Sequence, residues 1–156
     1  MKVFIIAVGN KMPNWIQQGF NEYIKRLPHE ISIQLIEIKP EKRSSGKTVE
    51  QLLYSESERI LAALPSGCRM IVLDERGHQW TTLEFSQVIK QWLLDSNAIA
   101  FVIGGADGLH PNLKRTAHKT FALSHLTLPH AMVRVVLAEQ LYRAVSVLQG
   151  HPYHRN

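Results

Sequence analysis

Apolar positions follow two rhythms along this chain. Lys2 to Gly9, Arg69 to Asp74 and Ala98 to Ile103 carry continuous apolar runs, the pattern of strands buried on both faces of a parallel sheet. Ile31 to Ile38 alternates first and turns fully apolar only at Leu35-Ile36, which predicts a strand nearer the edge. Thr120 to Leu123 is a short fifth strand. Between the strands the spacing changes to that of helices. Pro13 precedes Trp15, Ile16, Phe20, Tyr23, Ile24 and Leu27; Thr48 with Gln51 forms a capping-box pattern before Val49, Leu52, Leu53, Ile60 and Leu64. Thr81 with Glu84 repeats that box before Phe85, Val88, Ile89, Trp92 and Leu93, and Pro111 can open a short helix. Strands that alternate with helices predict an α/β fold, a single domain over residues 1–156 with a mostly parallel sheet flanked by helices.

The last helix breaks the amphipathic rule. Drawn at about 100° per residue, Glu139, Gln140, Arg143 and Ser146 share one narrow polar arc and Arg134 projects from the opposite side. Met132, Val133, Val135, Val136, Leu137, Leu141, Val145, Val147 and Leu148 cover nearly everything else. Such a helix is buried on two sides. Either one side packs on the sheet and the other on a second subunit, giving a homodimer, or the helix is sandwiched within one chain. On the first arrangement, a charge at Val136 or Leu141 yields monomers or insoluble protein.

Charge sharpens the picture. Residues 1–109 hold twelve Lys/Arg and twelve Asp/Glu, whereas residues 110–156 hold six Lys/Arg against Glu139 alone. The formal net charge of +5 therefore sits in the last third, as do six of the eight histidines. That distribution points to a polyanionic partner, nucleic acid being the commonest. The segment Lys39 to Lys47 is polar and basic, and reads as a mobile loop that is either merely solvated or a second nucleic-acid contact. Cys68 is the sole cysteine, so a disulfide within the chain is excluded and a reducing, cytoplasmic setting is expected. The apolar N-terminal run is short, β-branched and without a small-residue cleavage site, unlike a signal peptide. No apolar run approaches the ~20 residues that span a bilayer. No His-x-x-x-His or Cys partner pattern supports a metal, and no Gly-x-Ser-x-Gly elbow supports a hydrolase.

Candidate chemistry gathers where strands end. Leu73-Asp74, Gly104-Gly105 and Leu123-Ser124 stand at the carboxyl ends of three strands, where α/β sheets collect ligands. Gly104, Gly105 and Gly108 do not fit the dinucleotide fingerprint, and a tight strand-to-helix turn accounts for the glycine pair equally well. If the turn faces a ligand, a side chain at Gly104 takes the ligand's space, and Gly104→Val abolishes binding while sparing the fold. The tail His151-Pro152-Tyr153-His154-Arg155-Asn156 is too polar for core and too aromatic for a solubilising tail. It is either disordered or part of the chemistry, acting in the partner subunit's site.

At these residues the chain resembles the SPOUT class of RNA methyltransferases, and within it the family of small ribosomal large-subunit methyltransferase H enzymes. The resemblance runs from Ala7-Val8-Gly9-Asn10-Lys11-Met12-Pro13 through Phe101-Val102-Ile103-Gly104-Gly105 and Leu126-Thr127-Leu128-Pro129-His130. It continues in Val133-Arg134, Glu139-Gln140-Leu141-Tyr142-Arg143-Ala144 and His151-Pro152-Tyr153-His154-Arg155, and departs at Asn156, where the family has an acid. It implies S-adenosyl-L-methionine as methyl donor and N3 of a pseudouridine in 23S rRNA of the ribosome as acceptor. It also implies a homodimer and a C-terminal trefoil knot, which the usual rule against threaded chains disfavours. Carried over by position, the cofactor-binding residues are Leu73, Gly104, Gly105, Leu123, Ser124, His125, Leu126, Thr127 and Leu128. The acceptor-side residues are His130, Arg134, Tyr153, His154 and Arg155. The competing class is a non-catalytic ribosome- or RNA-binding factor, which the basic last third also predicts.

Overall fold

The computed structural model describes residues 1–43 and 46–155; Ser44 and Ser45 of the basic loop and Asn156 of the tail lie outside them. Five strands, β1 (Lys2–Val8), β2 (Ser32–Ile38), β3 (Arg69–His78), β4 (Ile99–Ile103) and β5 (Lys119–Phe121), form one sheet in the order β2-β1-β4-β3-β5. All of its pairings are parallel. The strand whose sequence alternates, β2, is an edge strand, and the continuous apolar runs lie inside the sheet.

Helices α1 (Asn14–Ile24), α2 (Val49–Ala63), α3 (Thr82–Asp95) and α4 (Pro111–Thr116) connect the strands in turn. The chain crosses the sheet one way through α1 and α3 and the other way through α2 and α4. One crossover hand then puts the two pairs on opposite faces. Ile5, Ala7, Phe101 and Ile103 pack with Phe20 of α1 and Phe85, Ile89 and Trp92 of α3. Their neighbours Ile6, Val8, Ala100 and Val102 pack with Ile60 of α2 and Leu113 of α4. Successive side chains point to opposite faces, so a strand covered on both sides has no polar positions to alternate with. The caps also match: Thr48 Oγ1 accepts from Gln51 N while Gln51 Oε1 accepts from Thr48 N, and Thr81 Oγ1 accepts from Glu84 N.

The final helix, α5 (His130–Leu148), lies on the first face against α1, α3 and β4. Leu137, Ala138, Leu141, Ala144 and Val145 are core residues of this one chain. The all-round apolar sequence is thus explained largely by neighbours within the chain, so of the two outcomes expected for a charge at Leu141 the core position favours insoluble protein. Leu141 is 3% exposed, and a charge there breaks the core before it touches any subunit contact. The outward stripe, Met132, Val136, Glu139 and Arg143, is half-buried.

Candidate active site

Strand order brings β4, β3 and β5 side by side, so the segments leaving their carboxyl ends meet. They enclose a cavity of about 800 Å³ lined by residues 73–76, 103–108, 123–124 and 126–130, with Lys114 and Val133. Each wall has a local cause. Leu73 and His78 of β3 both pair with Phe121, so the intervening residues bulge out of the ladder and Asp74, Glu75 and Arg76 face the cavity. Gly77 makes the strands' close approach possible, since a Cβ there would lie 2.8 Å from the Thr120 backbone. In the loop before α5, Ser124 Oγ accepts from Leu126 N at 3.0 Å, and the Thr127 hydroxyl donates to Glu75. Lys114 reaches across to Asp74 at 3.1 Å.

Eight of the nine expected cofactor residues line this cavity: Leu73, Gly104, Gly105, Leu123, Ser124, Leu126, Thr127 and Leu128. His125 is exposed and is not part of the cavity wall. The expectation for Gly104→Val needs correction. A Cβ on Gly104 would stand 2.5 Å from the Gly108 carbonyl oxygen and 2.9 Å from Leu109 Cγ, so a side chain there breaks the glycine turn itself instead of sparing the fold. Sequence reasoning missed Glu75, Arg76 and Lys114 as wall residues.

The expected acceptor-side residues separate. His130 lines the cavity, with Nδ1 buried and without a partner among the described residues. Burial, then the charge of Arg134, pushes its pKa below the usual 6.5. Arg134 is 2% exposed and spends both guanidinium ends on the fold, donating to Glu37 Oε2 at 2.7 Å and to the Gly9 carbonyl at 2.8 Å. Tyr153 packs on α5 at Glu139, Tyr142 and Arg143. Its ring is 4.6 Å from that of Tyr142 and beneath the Arg143 guanidinium, and its hydroxyl donates to Glu139 Oε2 at 3.3 Å. Tyr153, His154 and Arg155 are absent from the cavity wall of their own chain.

The basic last third is also less basic in space than in sequence. Three of its six Lys/Arg are paired, Lys114 with Asp74, Arg134 with Glu37 and Arg143 with Glu139. The described part of the basic loop is tied down too: Arg43 pairs with Asp107 of the glycine turn, and Lys47 with Glu41 at 3.3 Å. Glu56, buried in α2, accepts from Glu41 N at 3.0 Å. Among the described residues there is no group of three or more His, Cys, Asp or Glu able to hold a metal, and no helix long and apolar enough to cross a membrane.

A parallel α/β sheet with an 800 Å³ cavity at the ends of its last three strands defines a ligand-binding enzyme fold of a particular class, and the chain belongs to the SPOUT methyltransferases: the family model described as "Predicted SPOUT methyltransferase" matches residues 1–154. Among its relatives, the protein named Ribosomal RNA large subunit methyltransferase H of Nitrosospira multiformis is 59% identical over 155 residues, 99% of each chain. The protein of the same name from Burkholderia cenocepacia is 57% identical over 155 residues, again 99% of each. Solved structures agree on the fold. A probable methyltransferase from Bordetella pertussis Tohama I gives a TM-score of 0.60 at 14% identity, over 92% of this chain and 95% of that one. A probable methylase family protein from Haemophilus influenzae Rd KW20 gives 0.58 at 16% identity, over 99% and 70%.

Proposed function

We propose that this chain transfers a methyl group from S-adenosylmethionine to N3 of a pseudouridine in 23S rRNA, working in the cytoplasm as a homodimer on the ribosome. The observation that carries the reading is the cavity, which gathers eight of the nine expected cofactor residues and His130. Its chemistry fits the donor. Leu73, Ile103, Leu123, Leu128 and Val133 offer apolar walls for an adenine, while Ser124, Thr127, Asp74, Asp107 and the Gly104-Gly105 backbone offer polar partners for the ribose and amino-acid ends. When bound, the donor supplies a methyl group already activated on a sulfonium.

The protein's own task is alignment and removal of one proton. His130 suits the second part: its lowered pKa keeps the imidazole neutral at physiological pH, and with Nδ1 buried the ring takes the acceptor's imino proton on Nε2. The dimer would form on the face made by α1, α5 and α3. On α1 and α3 Trp15 and Leu83 are 57% and 48% exposed, and on α5 Met132 and Val136 are half-buried. The competing reading, a non-catalytic RNA-binding factor, is weakened by the internal pairing of three of the six basic residues.

Calorimetry should detect S-adenosylmethionine binding, and mass spectrometry of rRNA from cells lacking the protein should show one missing methyl group at a pseudouridine. An unchanged methylation map sinks the assignment. The pH dependence gives a further prediction. The folded-state pKa of His130 lies below its unfolded value of 6.5, so the folded chain binds fewer protons there and stability falls as pH drops below 6.5. Melting temperatures from pH 8 to 5 should therefore decline less in His130→Gln than in the wild type. Parallel curves would show that His130 titrates normally.

A further inference from the structure

A second, smaller cavity of about 410 Å³ opens on the α2/α4 face, lined by Lys47, Glu50, Gln51, Tyr54, Ser55 and His110. Its floor is His110, 5% exposed, which caps α4 by accepting a hydrogen bond from Asn112 N on Nδ1 at 3.1 Å. An Nδ1 that accepts is unprotonated, so the ring's proton sits on Nε2. Glu50 Oε1 stands 3.8 Å from that Nε2, beyond hydrogen-bond reach, on a side chain 82% exposed. That Nε2–H is therefore a donor open to a ligand at the floor of the cavity. Tyr54, half exposed, forms one wall, with its ring 5.7 Å from that of His110 and turned 74° to it. Gln51 commits its carbonyl oxygen to Thr48 N at 2.9 Å, which leaves its amide NH₂ as a second donor. Lys47, 3.3 Å from Glu41, sets a cation at the rim.

A flat aromatic face, two donors on the same wall and a cation at the edge form a complement to one nucleotide. The base stacks on Tyr54, its carbonyl oxygens accept from His110 Nε2 and Gln51, and its phosphate lies toward Lys47. We infer that this cavity holds an unpaired base of the same RNA strand whose neighbouring nucleotide enters the first cavity. The inference rests on the methyltransfer reading above. Only Leu109 separates His110 from Gly108 on the wall of the first cavity. The α2/α4 face is opposite the α1/α5/α3 face assigned to the dimer, so the pocket stays open when subunits pair.

The test is steady-state methylation of ribosomes by the full chain, with calorimetry of S-adenosylmethionine on each variant. Tyr54→Ala removes the stacking face and should raise KM for the ribosome about tenfold, with kcat and cofactor affinity unchanged; Tyr54→Phe should restore KM. His110→Ser keeps an N-cap residue but deletes the Nε2 donor, and should raise KM about threefold. KM values that do not respond to Tyr54→Ala and His110→Ser, or losses confined to kcat, overturn the pocket. A wild type that methylates no rRNA overturns the function itself, which is a different result from a methylating enzyme indifferent to these two residues.

Discussion

Arg134→Ala is expected to lower stability by about 3 kcal/mol, the scale for removing one partner of a buried ion pair and leaving space behind. Arg134 joins elements far apart in sequence. From α5 it reaches Glu37 at the end of β2 and the Gly9 carbonyl at the end of β1. Gly9 has φ +130°, a conformation side chains rarely adopt, and a Cβ there would lie 3.3 Å from Arg134 Nη2 and 3.7 Å from His130 Cε1. The guanidinium thus holds the β1 turn against the first turn of α5. Without it Glu37, whose side chain is 34% exposed, regains water, while the Gly9 carbonyl does not; the loss is one-sided, and Arg134→Lys should recover only part of it. Denaturant midpoints measure this directly. A variant that unfolds at the wild-type midpoint yet transfers no methyl group would return Arg134 to the acceptor side, where the family resemblance puts it.

The fold was largely legible because its signals are local or periodic. Continuous apolar runs announced β1, β3 and β4, and the cap residues Thr48 and Thr81 announced where α2 and α3 begin, although only Thr48 completes its box with the reciprocal bond. What escaped was set by partners distant in sequence. Strand β3 continues to His78 only because β5 pairs on both sides of a bulge, so Glu75 and Arg76 could not be placed on the cavity wall from their own neighbourhood; Gly77, demanded by the close approach of Thr120, was the available hint. Charge failed for the same reason. A sum along the chain placed the surplus in the last third, but Asp74, which neutralises Lys114, and Glu37, which neutralises Arg134, come from the first two. Helix α5 shows the limit of periodicity: it reports that a face is covered and is silent on whether the cover is the same chain or another copy.

Deleting residues 151–156 should abolish methyl transfer while leaving cofactor affinity unchanged. Gly150, at φ +66°, ends α5 in a reversal where Gly150 N donates to Val147 O and His151 N to Ser146 O, a geometry that folds the tail back on the helix. Tyr153 then rests on Tyr142 and Arg143, so truncation should also cost about 1 kcal/mol, more than a disordered tail would. Burial, followed by the charge of Glu139, pushes the Tyr153 hydroxyl up to about 12, so it remains a donor at every assay pH. At a rise of about 1.5 Å per residue, Tyr142 lies about 18 Å along α5 from His130, which sets Tyr153, packed on Tyr142, away from its own chain's cavity. In the proposed homodimer, one subunit's tail is expected to serve the other's cavity. Co-expression of the truncated chain with Thr127→Trp, which fills the cavity from an exposed position on its wall, tests that directly. Each variant alone should be inactive, and the mixed dimer should regain transfer at the one site that has both an intact cavity and a partner's tail. Inactive mixed dimers would place the tail in its own subunit's site. A truncated homodimer that methylates ribosomes at the wild-type rate would remove the tail from the chemistry and leave His130 as the acceptor-side residue.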